Sequence, residues 1–198
     1  MPALLDLDPP ARQITKLLEG VADDQLSAPT PCEQTNVAGL LDHLMGLTIA
    51  FTYAARKSNA AVTGSPPPQA SADTLDPDWR TRLPLRLDEL VAAWRDPAAW
   101  EGMAQAGGVT MPAEMMGSVV VDELVLHGWD LARGTGQEFD CDPASIDAVF
   151  GFTSAMSEPG QEASREGLFG PVVEVPSDAA LFDRALGFSG RDPAWSPR

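Results

Sequence analysis

A glutamate and a histidine lie four residues apart in an apolar run of this chain. They are Glu123 and His127, inside the run that extends from Val119 to Trp129. On a helix this spacing puts two side chains on one face, about one turn apart. Carboxylate and neutral imidazole are good ligands for zinc and related divalent ions. The spacing therefore predicts that these two side chains can bind one metal ion.

The other histidine of the chain, His43, lies in a second apolar stretch and could complete a set of three ligands. Its predicted helix face carries Gly39 and Gly46, whose small size leaves room beside the imidazole. Three protein ligands leave open coordination positions, as in a catalytic ion site. The alternative is a Glu123–His127 pair that is hydrogen-bonded in a core, with His43 satisfied elsewhere.

Two further residues near these ligands have candidate roles. Asp130 follows His127 by three residues and could orient a ligand imidazole by accepting a hydrogen bond from its other ring nitrogen. It could equally be a surface carboxylate or a partner for Arg133. Cys32 precedes the His43 helix and could be a fourth ligand or a reactive thiol. A partly buried, inert cysteine is the favoured interpretation.

The elements that must position these residues are helices. Apolar residues at helical spacing predict four long amphipathic helices and shorter ones after them. The long helices are expected from Asp8 to about residue 21, from Thr35 or Asn36 to about Lys57, from Asp76 to Asp96, and from about Pro112 to Gly134. Shorter helices are expected at 142–155 and near 178–186, with an extended stretch at 171–176.

This pattern predicts an all-α fold, an antiparallel four-helix bundle with additional short C-terminal helices. We expect a single domain over residues 1–198, with a flexible loop at 58–75 that is rich in proline, glycine and serine. Residues 157–198 are expected to form a C-terminal extension packed on the bundle. Facing helices in bundle cores commonly build metal sites.

The charge of the chain excludes some partners. Acidic residues outnumber basic ones 29 to 13, a formal net charge of -16, so the surface repels nucleic acid and anionic membranes. Two cysteines are too few for a disulfide framework. No uninterrupted apolar segment is long enough to span a bilayer, and the N-terminus lacks a signal peptide pattern. A cytoplasmic location is the expectation, and a homodimer stays open.

The motifs that carry these residues resemble those of a known group. Residues 29–32 (PTPC), 37–46 (VAGLLDHLMG) and 123–136 (ELVLHGWDLARGTG) are similar to signatures of the DinB-like, mycothiol-dependent maleylpyruvate isomerase superfamily, in particular its actinobacterial metal-binding branch. Residues 169–171, 175–176 and 190–193 (GRDP) resemble the C-terminal end of that group. One departure is Thr35, where the family often has tryptophan.

The resemblance implies a four-helix bundle that holds a divalent metal, usually zinc, through His43, Glu123 and His127. It also implies mycothiol as a low-molecular-weight thiol cosubstrate and a small-molecule electrophile. In that scheme the metal lowers the pKa of the thiol. The resulting thiolate adds to the electrophile, which gives S-transfer or, after reversal, double-bond isomerisation.

Three functions therefore stay open at this point. The first is a metal-dependent thiol S-transferase or isomerase. The second is a metal-assisted hydrolase in which the ion activates water. The third is a bundle that binds a small ligand and catalyses nothing. A fold shared with enzymes does not decide between them.

Overall fold

The computed structural model describes residues 4–32, 35–58, 70–165 and 167–197. Four long helices dominate it: α1 Asp8–Glu19, α2 Val37–Ala55, α3 Trp79–Trp94 and α4 Ala113–Thr135. They begin and end within a few residues of the positions expected from the sequence. Shorter helices follow: α5 Pro143–Ala155, α6 Glu162–Arg165 and α7 Leu181–Phe188.

Local capping signals fix both helices of the candidate site. Asn36 is the N-cap of α2, and its side chain accepts a hydrogen bond from the amide of Gly39, which satisfies one of the free donors of the first turn. The fourth helix ends at Gly136, whose φ of 67° is the left-handed conformation that glycine adopts without strain. The helices that carry the candidate ligands are therefore bounded by their own sequence.

The four long helices form a bundle in which α1 and α2 each contact both α3 and α4. The second and fourth helices run antiparallel, because Val37 at the start of α2 lies beside Gly134 near the end of α4. Large side chains that share full burial fill the interior, among them Ile14, Leu40, Leu41, Leu44, Leu83, Leu87, Leu90, Leu124 and Leu131. The prediction of an all-α four-helix bundle with short C-terminal helices is confirmed.

A two-stranded hairpin precedes α4. Its strands are β1 Met103–Ala106 and β2 Val109–Pro112, which pair antiparallel. Gly107 and Gly108 join them with φ values of 57° and 81°, the conformation that a tight hairpin turn of this kind requires. The sequence at 107–110 (GGVT) predicts only a turn or a short extended piece, not a hairpin of two strands. Each strand is only four residues long and the two are separated by glycines, so the sequence pattern does not identify them as strands.

The C-terminal helices pack on the outside of the bundle, α5 against α4 and α7 against α5. Residues 171–176, predicted to be extended, belong to no assigned strand. The amide of Val173 donates to the carbonyl of Gly187 at 2.9 Å, which ties this stretch to α7. After residue 188 the chain returns to α4, where Arg191 contacts Asp130.

The predicted loop at 58–75 falls mostly on residues 59–69, which lie outside the described part of the chain. Its last residues are held by α2. Asp42 accepts hydrogen bonds from the amide of Ser71 at 3.2 Å and from the hydroxyl of Thr74 at 2.9 Å. The carboxylate of Asp42, next to His43 in the sequence, thus holds the turn at 71–74 against α2.

Among the described helices, α2 alone is long and apolar enough to qualify as a membrane span by length and composition, with a mean hydropathy of 1.3. Because α2 contains Asp42 and His43, it is not an uninterrupted apolar segment, and the sequence-based expectation that no such segment spans a bilayer is not contradicted. Since 67% of the qualifying stretch is buried inside the structure, its apolar character is that of the central helix of a bundle.

Candidate metal centre

His43, Glu123 and His127 come together between α2 and α4. One donor atom from each lies within 4.8 Å of the other two. Glu123 Oε2 is 3.0 Å from His127 Nε2 and 3.4 Å from His43 Nε2. The two imidazole rings meet edge to face, with centroids 4.7 Å apart and planes at 79°. Both imidazoles therefore direct Nε2 at the same carboxylate oxygen.

The antiparallel packing of α2 on α4 produces this arrangement. On α4 the helical repeat puts Glu123 and His127 on one face, and α2 brings His43 opposite them. The expected room beside His43 exists at Gly46, where an added Cβ would have no neighbour within 4 Å. It does not exist at Gly39, because Thr35 and Asn36 fill that side.

Asp130 lies directly behind His127, and its side chain is 0% exposed. Its Oδ2 is 3.0 Å from His127 Nδ1. An ionised carboxylate can only accept hydrogen bonds, so Nδ1 of His127 carries the proton and donates it. Nε2 then faces Glu123 and His43, the orientation that a metal-ligating histidine needs, and the proton that Nε2 donates to Glu123 is the one that a bound cation would replace.

The partner of Asp130 is Arg191, not Arg133. Arg191 donates from Nε to Oδ1 at 2.9 Å and from Nη2 to Oδ2 at 2.7 Å, a bidentate pair of the strongest type. Its Nη1 donates to the hydroxyl of Ser189 at 3.2 Å. Arg133 instead donates from Nε to the carbonyl of Trp195 at 3.1 Å.

Sequence reasoning missed Arg191 as a site residue, although its motif was noted. The chain reaches it through a Schellman motif after α7. Gly190 has a φ of 86°, its amide donates to Gly187, and the amide of Arg191 donates to Leu186. Gly190 also passes so close to Gly170 that an added Cβ would lie 2.8 Å from the backbone. Gly190, which precedes Arg191, was the feature of the sequence that could have indicated this turn.

Burial and hydrogen bonding act against each other on the ionisable groups. Burial alone would raise the pKa of Glu123, but hydrogen bonds from His127 and His43 lower it well below its ordinary value. Burial alone would lower the pKa of His127, but its bonds to Asp130 and Glu123 raise it to about 10. The cluster therefore stabilises an ionised Glu123 within a buried setting.

Asp122 is the exception among the carboxylates of this helix. It is 4% exposed, and its Oδ1 has no hydrogen-bond partner among the described residues. Burial first, and then the neighbouring charge of Glu123, raise its pKa well above the ordinary value. Burial and the charge of Glu123 thus both disfavour the ionised form of Asp122 beside the cluster.

The chemistry of the three donors and two of their three separations suit a divalent cation. A tetrahedral ion bound at about 2.0–2.2 Å to nitrogen and oxygen ligands separates those ligands by roughly 3.3 Å. The two Glu123–histidine distances, 3.0 and 3.4 Å, bracket that separation. The donor set, two imidazoles and one carboxylate, is also the chemistry that zinc and its neighbours accept.

Cys32 is not among the donors that converge within the described residues. It is half-buried, and its Sγ lies 3.9 Å from the hydroxyl of Thr35. The contact of its thiol is thus with Thr35, just before α2, and not with the candidate ligands.

The fold and the histidine–glutamate–histidine cluster define a helix-bundle protein with a candidate metal centre. Residues 7–132 match the family described as the mycothiol maleylpyruvate isomerase N-terminal domain. The chain belongs to this family, and the superfamily resemblance of its motifs is confirmed. The match includes all three candidate ligands and Asp130, and ends before Arg191.

Relatives and solved structures agree with this assignment. Uncharacterized proteins from two strains of Mycobacterium tuberculosis are each 30% identical over 187 residues, covering 88% of this chain and 90% of theirs. The crystal structure of a mycothiol-dependent maleylpyruvate isomerase superposes with a TM-score of 0.68 at 17% identity, covering 95% of this chain and 88% of that one. A mutant of that enzyme gives 0.59 at 18% identity, covering 74% and 66%. These two structures share the fold of this chain.

Proposed function

We propose that this protein is a metal-dependent enzyme that uses a low-molecular-weight thiol, mycothiol or a close relative, for S-transfer or double-bond isomerisation. The observation that carries the proposal is the convergence of three donor atoms from two helices within 4.8 Å of one another. Membership in the mycothiol maleylpyruvate isomerase family supports the thiol. A low-molecular-weight thiol cosubstrate supports the expectation of a cytoplasmic location.

His43, Glu123 and His127 are the proposed ligands of a divalent ion, zinc being the best match to the donor set. When bound, such an ion supplies Lewis acidity, which lowers the pKa of a coordinated thiol toward neutrality. His43 is the most exposed of the three, with 36% of its side chain accessible against 14% for His127. The open side of the site is therefore at α2, where Gly46 leaves space.

Asp130 and Arg191 are proposed to act as positioning residues. The buried carboxylate holds the Nδ1 proton of His127, and the bidentate guanidinium keeps that carboxylate ionised. Together they lock the tautomer and the ring orientation of His127, so Nε2 stays available. Such outer partners typically change metal affinity or activity by about 10- to 100-fold.

The proposed chemistry is nucleophilic addition by sulfur. The thiolate forms a carbon–sulfur bond with an electrophilic carbon. In S-transfer a leaving group departs with the bonding electron pair. In isomerisation the π electrons of a conjugated double bond move to a carbonyl oxygen, the new single bond rotates, and expulsion of the thiolate restores the double bond. The two outcomes share the same first step.

The test compares metal content and thiol-dependent turnover in matched variants. Glu123→Gln removes a ligand charge with little change in shape. Glu114→Gln makes the same chemical change in the first turn of the same helix, at an exposed position, and is the control. We expect about one divalent ion per chain in the wild type and in the control, and far less in Glu123→Gln.

Turnover separates the proposed function from its alternatives. Consumption of an electrophile such as 1-chloro-2,4-dinitrobenzene should require both the ion and mycothiol. Equal metal in Glu123→Gln and the wild type would refute the ligand assignment. Hydrolytic turnover with the ion bound and no thiol present would indicate the water-activating alternative. Binding of thiol without turnover of any electrophile would favour the non-catalytic bundle.

A further inference from the structure

The two imidazoles of the candidate centre are held differently, although both direct Nε2 at Glu123. His127 has a second partner, because its Nδ1 lies 3.0 Å from Oδ2 of the fully buried Asp130. Within the described ranges, the side-chain hydrogen bonding of His43 ends at Glu123, 3.4 Å away. The ring of His127 is therefore held at both nitrogens, and the ring of His43 is held at one.

Exposure separates the two imidazoles in the same direction. The side chain of His43 is 36% exposed, and that of His127 is 14% exposed. An exposed ring that leaves an ion is hydrated at once, whereas a buried polar ring would lose a partner without gaining water. Release of His43 from a bound ion therefore costs less than release of His127.

The backbone adds a third difference between the ligands. Glu123 and His127 lie four residues apart on α4, so a single helix sets their separation. Glu123 Oε2 is 3.0 Å from His127 Nε2. His43 belongs to α2, and its 3.4 Å distance to the same oxygen depends on how the two helices pack. Local structure thus places two of the donors, and tertiary packing places the third.

We infer that Glu123 and His127 hold the divalent ion and that His43 is the replaceable ligand, whose place an external nitrogen or sulfur donor can take. The inference rests on the ligand set of the proposed function and adds that its three members are not equivalent. An outer partner fixes the ring of a ligand histidine and raises its basicity, an effect of about 10- to 100-fold on affinity. His127 has this support from Asp130.

The consequence for the proposed reaction concerns the direction of approach. A small thiol comes from solvent, and the more exposed of the two imidazoles is His43. An added Cβ at Gly46, three residues further along α2, would meet no described atom within 4 Å. The incoming sulfur therefore meets the centre beside His43, at the ligand that is least firmly held.

Matched alanine variants test the inference through metal binding, without any turnover. His43→Ala and His127→Ala remove the same side chain from the interiors of two helices. Competition with a chromophoric chelator measures the affinity for zinc, and circular dichroism checks the fold. We expect His127→Ala to lose at least about tenfold more affinity than His43→Ala. Equal losses, or a larger loss in His43→Ala, would overturn the inference.

Imidazole added to the solution makes the test specific to the missing ligand. The space left in His43→Ala opens to solvent, so imidazole at about ten times its own Kd should raise the zinc affinity of this variant about tenfold. The more buried space in His127→Ala should give no such rescue. Glu114→Gln, which keeps all three ligands, corrects for imidazole that binds free zinc or an open position on the ion. An equal response of the two alanine variants would overturn the inference.

The wild type supplies a readout that requires no variant to fold. His43 and His127 are the only histidines of the chain, so nitrogen NMR of the zinc-loaded protein observes each ring separately. The Nδ1 proton of His127 should persist, because the buried Asp130 accepts it, and that of His43 should exchange rapidly with water. Persistent Nδ1 protons on both rings, or on His43 alone, would overturn the inference.

The same spectra distinguish failure of the inference from failure of the proposed function. If zinc changes the signal of neither ring, the ligand set is wrong, and the proposed function fails together with the inference. If zinc shifts both Nε2 signals and the two rings then behave alike, the ligand set stands and only the inference fails.

Discussion

Two regions of the molecule bring acids and bases together, and they differ in what surrounds the charges. One is the cluster between α2 and α4. The other is a surface cavity of about 450 Å³ lined by Asp23, Trp79 and Arg80 near the start of α3. In the cavity Arg80 pairs with Asp23 at 2.8 Å, with side chains 44% and 86% exposed. In the cluster Arg191 pairs with Asp130, with side chains 10% and 0% exposed.

The difference teaches that the surface cavity is the weaker candidate site. Water already stabilises the charges of the cavity, so its ion pair contributes little. The charges of the cluster have lost their water and depend on one another. Each buried group there depends on a specific partner. Such dependence shifts the pKa values of ligand side chains and fixes the tautomer of a histidine.

The largest effect is expected from breaking the buried pair. Arg191→Met leaves Asp130 ionised, buried and held only by His127, and should lower the free energy of unfolding by about 3–5 kcal/mol. Denaturant titration measures it. The double variant Arg191→Met with Asp130→Asn should recover part of the loss, since the uncompensated charge is gone. If the single variant lost less than about 1 kcal/mol, the buried pair would contribute no more to the free energy of unfolding than an exposed pair does.

The pH dependence of this loss has a defined sign. Burial alone would raise the pKa of Asp130, but Arg191 and then His127 bring it below the ordinary value of 3.8. A lowered pKa stabilises the folded state above pH 3.8 and loses that effect as the pH falls. The deficit of Arg191→Met, measured at pH 7, should therefore shrink as the pH is taken below 4. A constant deficit would contradict the assignment.

A divalent ion should stabilise the cluster and leave the cavity untouched. At a concentration 100 times its Kd, zinc should add about 2.7 kcal/mol to the free energy of unfolding, because it binds the folded state. Calorimetry with and without zinc measures this. Glu123→Gln should abolish the increase, and the control Glu114→Gln should keep it. An increase that persists in Glu123→Gln would place the ion elsewhere.

A smaller effect is expected from loosening His127 without removing it. Asp130→Asn can no longer hold the Nδ1 proton as a charged acceptor, so the affinity for zinc should fall by about 10- to 100-fold. Competition with a chromophoric chelator measures the affinity, and circular dichroism checks that the fold is intact. Unchanged affinity in a folded variant would show that Asp130 has only a structural role.

The smallest effect belongs to the cavity. Arg80→Ala removes the exposed pair with Asp23, a bond to the carbonyl of Val21 and a stacking contact with Trp79 at 4.1 Å. Because the charged groups of Arg80 and Asp23 are exposed to water, we expect a loss of no more than about 1 kcal/mol. Denaturant titration of Arg80→Ala and Arg191→Met under the same conditions gives the ratio of their two losses in the free energy of unfolding. A loss larger than that of Arg191→Met would reverse the comparison.

Short-range patterns carried most of what could be predicted. Apolar spacing located the four long helices, and Asn36 and Gly136 show why α2 and α4 begin and end where they do. The spacing of Glu123 and His127 is a property of one helix, so their proximity followed from sequence alone. The hairpin before α4 escaped prediction because its strands are only four residues long and pair with each other across two glycines.

The amino-acid sequence by itself determined which faces of α2 and α4 are apolar and which donors lie on them, because helical periodicity is local. Only the tertiary structure decided that His43 meets Glu123 and that Asp130 is neutralised by Arg191, 61 residues away. Such partners are chosen by helix packing and by a turn that brings the chain back. Because these groups are buried, the identity of the partner matters for stability. A charge without water requires a partner within hydrogen-bond distance.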